Sequence, residues 1–185
     1  MKSELLVDRQ SAYQRLRGGF PIPLAGAVWW FALAAVGFAG LSLRSWSLVA
    51  FVSSGLICPI ALLLARVFDN PFMKDRSAVT DVLDPAFIGM LLFWPVAIAA
   101  FWNYPALVPL ILAIGMSQHW PIVGWSYGKT VLYSAHAIVR ALLGFAIWNW
   151  LPSGRTTILP LSVALIYVST VFAICWDTRA KHSAF

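Results

Sequence analysis

Charged residues are scarce in this chain of 185 amino acids: only 11% are Asp, Glu, Lys or Arg, whereas 61% are hydrophobic. A soluble domain of this length exposes a surface that so few charged side chains cannot cover. The mean hydropathy of +0.79 agrees with this deficit. The composition therefore excludes a water-soluble monomer and indicates a protein that is embedded in a lipid bilayer.

Motifs for catalysis and for metal binding are also missing. The sequence has no GxSxG elbow, Walker loop, HExxH motif or GxGxxG loop. Its two cysteines, Cys58 and Cys175, lie in apolar segments at no metal-ligand spacing, so neither a metal site nor a cofactor is expected. The net charge of +6 would suggest a nucleic-acid partner in a soluble protein, but here membrane topology explains it better, and no nucleic acid is expected.

The chain does contain long apolar runs, and about 20 such residues cross a bilayer as a helix. The runs predict an all-α, polytopic transmembrane bundle of six spans: 20–43, 46–68, 86–102, 105–119, 130–150 and 157–176. The third and fourth are short and contain Pro95 and Pro109, so they form either two spans or one re-entrant hairpin. Residues 1–19 and 177–185 are predicted to be cytoplasmic segments on either side of this membrane domain.

Basic side chains predict the orientation of the bundle. With a cytoplasmic N-terminus, ten of the thirteen Lys and Arg lie on the cytoplasmic side, Arg44 and Arg155 lie outside, and Arg140 lies within the fifth span. Short loops rich in Lys and Arg stay in the cytoplasm. Both termini are therefore predicted to be cytoplasmic.

The segment before the first span has apolar and basic residues at helical spacing. Its apolar Leu5 and Tyr13 alternate with Arg9 and Arg15, which is typical of a helix on the inner leaflet with arginines near anionic headgroups; the alternative is a frayed tail. The run Arg17-Gly18-Gly19-Phe20-Pro21 then opens the first span. This layout resembles a group of small bacterial inner-membrane proteins of unknown function. The resemblance implies a multi-pass protein of the bacterial inner (plasma) membrane and transfers no site residue.

One polar constellation lies within the apolar spans. Lys129, Tyr133, His136 and Arg140 recur at intervals of four, three and four residues, so they share one face of the fifth span. Small residues (Ala137, Ala141 and Gly144) form a neighbouring stripe along which another helix can approach closely. The polar stripe is therefore predicted to face the interior of the bundle.

Arg140 needs partners, because a guanidinium near the bilayer centre costs between ~2.5 and more than 10 kcal/mol without them. No acid lies inside a predicted span. The candidate partners are helix-end or kink carbonyls, hydroxyls such as those of Tyr133 and Tyr167, ordered water, or an anionic ligand. Arg140 is thus either a structural tie between helices or a receptor for an anionic or polar small molecule.

The loop before the fifth span adds Gln118 and His119 to the candidate ligand-binding set, which then comprises Arg140, His136, Tyr133, Lys129, His119 and Gln118. No catalytic residue is predicted. If the loop is a tight hairpin, His119 and His136 differ in depth by ~10 Å. That separation argues against haem ligation by the two histidines, although a tilted hairpin would reduce it.

Three functions are compatible with these features. The sequence favours first a small transporter, channel-like or ligand-binding protein with a polar path along the fifth span, which at this size would form a homo-oligomer to enclose a pathway. The second is an accessory subunit of a larger membrane complex. The third is an enzyme at the cytoplasmic leaflet, with His119, His136 and aspartates of the 69–85 loop as its acid–base groups. In each case membrane lipid is the surrounding partner.

Overall fold

The computed structural model describes residues 2–75 and 77–182, and all regular secondary structure in these two ranges is helical. The α-helices in them are α1 (Lys2–Arg15), α2 (Pro21–Phe38), α3 (Leu43–Ser54), α4 (Ile57–Val67), α5 (Leu83–Leu91), α6 (Trp94–Asn103), α7 (Val108–Gly115), α8 (Trp120–Ser126), α9 (Thr130–Trp150) and α10 (Ile158–His182). Short 3₁₀ turns join several of them, at Arg17–Gly19, Pro71–Met73, Pro105–Leu107 and Pro152–Gly154.

Within the part of the chain that the structure describes, five helical stretches are long and apolar enough to cross a bilayer: Arg17–Phe38, Leu83–Asn103, Pro105–Ser126, Thr130–Trp150 and Ile158–Arg179. Helices α3 and α4 meet the same criterion only together, with a bend of 48° between them, and bring the number to six. The predicted all-helical bundle is confirmed. The irregularity was predicted for the third and fourth spans, but residues 83–126 form two stretches that are each long enough to cross. The bent span is instead the predicted second one.

Three of the apolar segments are interrupted midway, between α3 and α4, between α5 and α6, and between α7 and α8. The second half of each begins with a proline in its first turn, namely Pro59, Pro95 or Pro121. A proline lacks the N–H that would continue the preceding helix, and its ring clashes with the carbonyl one turn earlier. The same residue is well tolerated in the first turn of a new helix, so each interruption occurs just before a proline.

The core of the bundle is the long contact of α2 with α10, against which α9 also packs. Gly26 allows this approach, because a Cβ at that position would lie 2.8 Å from the ring of Tyr167. Helix α7 packs on α9, where a Cβ on Gly144 would lie 3.5 Å from that of Ala113. The small-residue face of the fifth span is therefore a helix contact, as predicted.

The N-terminal segment is helical and is docked on the bundle rather than frayed. Tyr13 and Leu16 are buried, while Leu5 and Leu6 at the start of α1 remain exposed. Arg15 donates to both carboxylate oxygens of Asp75, at 2.8 and 3.0 Å.

Further bonds hold this segment in place. Arg17 donates to the carbonyl of Phe68, Asn70 donates to that of Leu16, and Arg9 donates to that of Trp125. Arg9 and Arg15, which were predicted to approach headgroups, are thus bonded to groups of the protein, as is Arg17. We call α1, the Arg17–Gly19 turn and the groups they bind the N-terminal clamp.

Candidate functional site

The polar stripe of α9 points into the bundle, as predicted. Tyr133, His136 and Arg140 are each no more than 3% exposed. Lys129 lies just before the first turn of the helix, where its ammonium is 2.6 Å from a carboxylate oxygen of Asp177. The stripe therefore runs from an ion pair at one end of α9 to a fully buried guanidinium near its middle.

Arg140 binds one hydroxyl and one carbonyl. Its Nη1 donates to Tyr167 Oη at 2.7 Å, and its Nη2 donates to the carbonyl of Leu112, in the last turn of α7, at 3.2 Å. The guanidinium carbon also lies 5.1 Å from the ring centres of Trp30 and Tyr167, within the range of a cation–π contact. Among the residues that the structure describes, no carboxylate pairs with Arg140.

His136 is held by α10. Its Nδ1 lies 2.8 Å from Thr170 Oγ1, and that hydroxyl donates to the carbonyl of Ile166 at 2.9 Å. The hydroxyl therefore accepts from Nδ1–H, which leaves Nε2 as the acceptor nitrogen. Tyr133 makes a different contact, donating its hydroxyl to the carbonyl of Gly18 at 2.6 Å.

His119 lies in the turn between α7 and α8 and is 5% exposed. Its ring packs against the rings of Phe87 and Trp120, with centroids at 4.8 and 4.7 Å. Neither nitrogen of His119 has a hydrogen-bond partner within the described ranges, and the same is true of Trp120 Nε1. Three buried polar atoms therefore lie close together without partners.

The loop between the two histidines is not the tight hairpin for which a difference in depth of ~10 Å was predicted. Both rings contact that of Trp120, His136 with a centroid distance of 5.0 Å. The reason is that the fourth apolar segment continues through α8, so the chain reverses near Gly128, where φ is +64°, rather than directly after His119. His119 and His136 are then about equally far along the chain from the reversal.

A cavity of about 600 Å³ lies beside this aromatic group, bordered by α2, α4, α5 and α8. Residues at all three helix interruptions line it, among them Gly55, Phe93 and His119. Most of its other lining side chains are apolar. Trp120 and Tyr167 also line it, and Tyr167 is bonded to Arg140, so the cavity lies next to the polar interior of the bundle.

The cavity opens on the side of the bundle. Gly55, Cys58 and Leu91 line it and are also exposed at the surface of apolar helical segments. Helices α4 and α5 border this opening, and each packs mainly on another helix, α4 on α2 and α5 on α8. The opening therefore lies on a surface of the kind that contacts lipid chains.

Of the six predicted ligand-binding residues, only His119 lines the cavity. Arg140 is one hydrogen bond away from it, through Tyr167, whereas Gln118 is exposed and Lys129 lies at the end of α9. Their role in ligand binding stays a prediction. Sequence reasoning missed the cavity itself, although Ser53-Ser54-Gly55 followed by Pro59 within an apolar run was a signal of an interrupted span.

The chain belongs to a family of unknown function, DUF7010, whose model matches residues 7–177. No curated protein and no solved structure matches it. The family model covers the N-terminal clamp from within α1 and all of the apolar helical segments.

Proposed function

We propose that this protein binds an amphipathic molecule that enters the cavity laterally from the bilayer. One observation carries the proposal: three interrupted helices contribute to a single cavity that is also lined by the buried ring of His119, whose nitrogens have no hydrogen-bond partner among the described residues. Among the functions that the sequence allows, the proposed one is that of a ligand-binding membrane protein.

Interrupted helices support a binding role because non-helical backbone is costly at membrane depth unless it is buried in protein or lines a cavity. In membrane transporters, such interruptions commonly form the substrate site. Here the residues at all three interruptions line the same volume of about 600 Å³. That volume lies within the range of roughly 300–1,000 Å³ typical of small-molecule sites.

The unpartnered atoms support the same role. A buried polar group without a hydrogen bond costs about 1–3 kcal/mol, and protein interiors rarely keep one. His119 and Trp120 together have three such atoms beside the cavity, counted over the described residues. A ligand with a polar group next to these rings would satisfy atoms that the fold leaves without partners.

An enzymatic role has less support. General acid–base catalysis by His119 would be favoured by a nearby carboxylate, and the lining residues within the described part of the chain include no Asp or Glu. The proposal is therefore limited to binding. A transport function would also require the cavity to open to a second surface.

A photoactivatable, diazirine-bearing long-chain alcohol tests the proposal. The purified protein in lipid nanodiscs is irradiated with this probe, and the labelled residues are identified by peptide mass spectrometry. We expect saturable labelling of lining residues such as Met90, Phe93 and Trp94. Labelling that is not saturable and spreads over exposed residues such as Phe172 and Trp176 would contradict a binding cavity.

Two glycines provide a matched pair of variants. A Cβ at Gly55 or at Gly89 would meet no other atom within 4 Å, so either position has room for a large side chain. Both residues are exposed, but only Gly55 lines the cavity. We expect Gly55→Trp to obstruct the cavity and reduce saturable labelling several-fold, and Gly89→Trp to leave it unchanged.

We propose further that the protein lies in the bacterial inner membrane with both termini in the cytoplasm. The asymmetry of Lys and Arg supports this orientation. In a variant without Cys58 and Cys175, a cysteine at Ser45 or Ser153 should react with a membrane-impermeant thiol reagent added to cells with a permeabilised outer membrane. A cysteine at Ser77 should not react, and the reverse pattern would contradict the orientation.

A further inference from the structure

We infer that the ligand of this cavity is a single-chain carboxylate, that is, a long-chain fatty acid anion. This inference rests on the proposed function and adds the chemistry of the ligand's head group. It depends on three observations: polar side chains that line the cavity carry hydrogen-bond donors, a buried positive charge lies behind one of them, Tyr167, and most of the remaining lining is apolar.

The polar groups beside the cavity are able to donate. Trp120 Nε1 is a donor only, and neutral His119 has one N–H. Tyr167 Oη accepts from Arg140, and no described residue accepts the proton of that hydroxyl. A head group that accepts several hydrogen bonds fits this set better than one that mainly donates.

Arg140 gives the site its charge preference. The guanidinium is fully buried, and no carboxylate in residues 2–75 and 77–182 pairs with it. A carboxylate that accepts from Tyr167 Oη would lie roughly 5–6 Å from the guanidinium, the length of two consecutive hydrogen bonds. Opposite charges at that distance attract strongly where water is excluded.

The apolar part of the cavity fits a hydrocarbon chain. Besides Trp120 and Tyr167, the lining includes the apolar Met90 and Trp94 and the exposed Leu91. A single chain can lie along this lining with its head group beside the aromatic rings and its tail at the lipid-facing opening. A cationic amphiphile would meet the charge of Arg140 at the same place and be repelled.

In this arrangement Arg140 is a positioning residue, since Tyr167 lies between it and the cavity. It orients the Tyr167 hydroxyl by occupying its acceptor side and makes that hydroxyl a stronger donor through its charge. Its contribution should therefore affect the choice of head group more than the binding of the hydrocarbon chain. That distinction separates a role in recognition from a merely structural role.

The test compares three competitors with the same chain: oleic acid, oleyl alcohol and oleylamine. Each is titrated against the photoactivatable alcohol in nanodiscs at a pH at which the acid is ionised. We expect oleate to compete at a concentration at least about tenfold lower than oleyl alcohol, and oleylamine to compete least well. The preference for the acid should disappear when the pH is lowered until the fatty acid is protonated.

Substitutions of Arg140 sharpen the comparison. Arg140→Met should reduce the preference for oleate over oleyl alcohol to about one, because competition by oleate should weaken far more than competition by the alcohol. Arg140→Lys should retain part of the preference, because the positive charge remains although the planar guanidinium group is lost. If Arg140→Met does not fold, Tyr167→Phe tests the same link by removing the hydroxyl.

The outcomes distinguish this inference from the proposed function. If acid and alcohol compete equally in the unmodified protein, or if Arg140→Met weakens both to the same extent, the carboxylate inference is wrong and the cavity remains a binding site. If Gly55→Trp does not change labelling by the photoactivatable alcohol, the proposed function itself is wrong.

Discussion

The N-terminal clamp and the cavity are two regions in which distant parts of the chain bring polar groups together, and they treat those groups differently. In the clamp, Arg15 binds both oxygens of Asp75, and the buried hydroxyl of Tyr133 binds the carbonyl of Gly18. At the cavity, both nitrogens of His119 and the indole nitrogen of Trp120 have no partner within the described ranges.

Gln14 Nε2 in α1 also lacks a partner among the described residues, but the paired groups named here stabilise the fold, whereas His119 and Trp120 border a cavity that a ligand can enter. Buried polar atoms in folded proteins are nearly always hydrogen-bonded, and an exception calls for a reason. In the clamp, removal of a partner should reduce stability. At the cavity, removal of a polar group that has no partner, such as the imidazole of His119, should leave stability unchanged and affect binding.

The largest effect is expected for Gly18→Ala in the clamp. Gly18 has φ of +61°, and a Cβ there would lie 2.5 Å from Ile174 and 2.8 Å from the ring of Tyr13. Strain and overpacking together should lower the free energy of unfolding by about 2–5 kcal/mol. Thermal unfolding in detergent measures the change.

Gly40→Ala is the matched control for this substitution. Gly40 also has positive φ, of +78°, but a Cβ there would meet no other atom within 4 Å. Gly40→Ala should lower the free energy of unfolding only by the backbone strain, about 1–2 kcal/mol. Equal losses in the two variants would show that packing in the clamp contributes nothing.

A smaller effect distinguishes the two regions directly. Tyr133→Phe leaves the buried carbonyl of Gly18 without its donor and should destabilise the protein by about 1–3 kcal/mol. His119→Phe removes a ring whose nitrogens have no partners in the described structure, so the melting temperature should stay the same or rise. The comparison fails if His119→Phe is as destabilising as Tyr133→Phe.

The smallest effect concerns the ion pair of the clamp. Hydrogen bonds from Arg15 hold the pKa of Asp75 below its ordinary value. A carboxylate with a lowered pKa in the folded state adds stability above its unfolded pKa, and that stability is lost as the pH falls through the folded value. We expect about 0.5–1 kcal/mol or less, because Arg15 is about half exposed and the pair is screened by salt.

This loss should occur below about pH 4, where aspartate begins to protonate. Asp75→Asn is the control, because it lacks the titrating group. If the free energy of unfolding has the same pH dependence between pH 6 and pH 3 in both proteins, the ion pair does not contribute to stability.

Much of the fold could be predicted from the sequence, because the requirement for long apolar helices in a bilayer is strong. The inward direction of Tyr133, His136 and Arg140 followed from their spacing on one helix. The Tyr167 hydroxyl and the Leu112 carbonyl that bind Arg140 also belonged to the kinds of partner expected for it.

The cavity could not be predicted, because it depends on how three interrupted segments pack against one another. A proline within an apolar run indicates a break but not what the break faces. The tight hairpin considered for the loop after His119 is absent for a similar reason, since α8 continues the fourth apolar segment as far as Ser126. The position of His119 relative to His136 depended on where the chain reverses, which spacing alone does not reveal.

Methyl NMR of the protein labelled with ¹³C-methyl methionine tests the central claim most directly. The chain contains four methionines, and Met90 and Met116 line the cavity. Titration with oleate in nanodiscs should shift the signals of these two residues to saturation, and the shifts should be lost in Gly55→Trp but kept in Gly89→Trp. Shifts that grow without saturation and are the same in both variants would show that the molecule only partitions into lipid and that the cavity does not bind it.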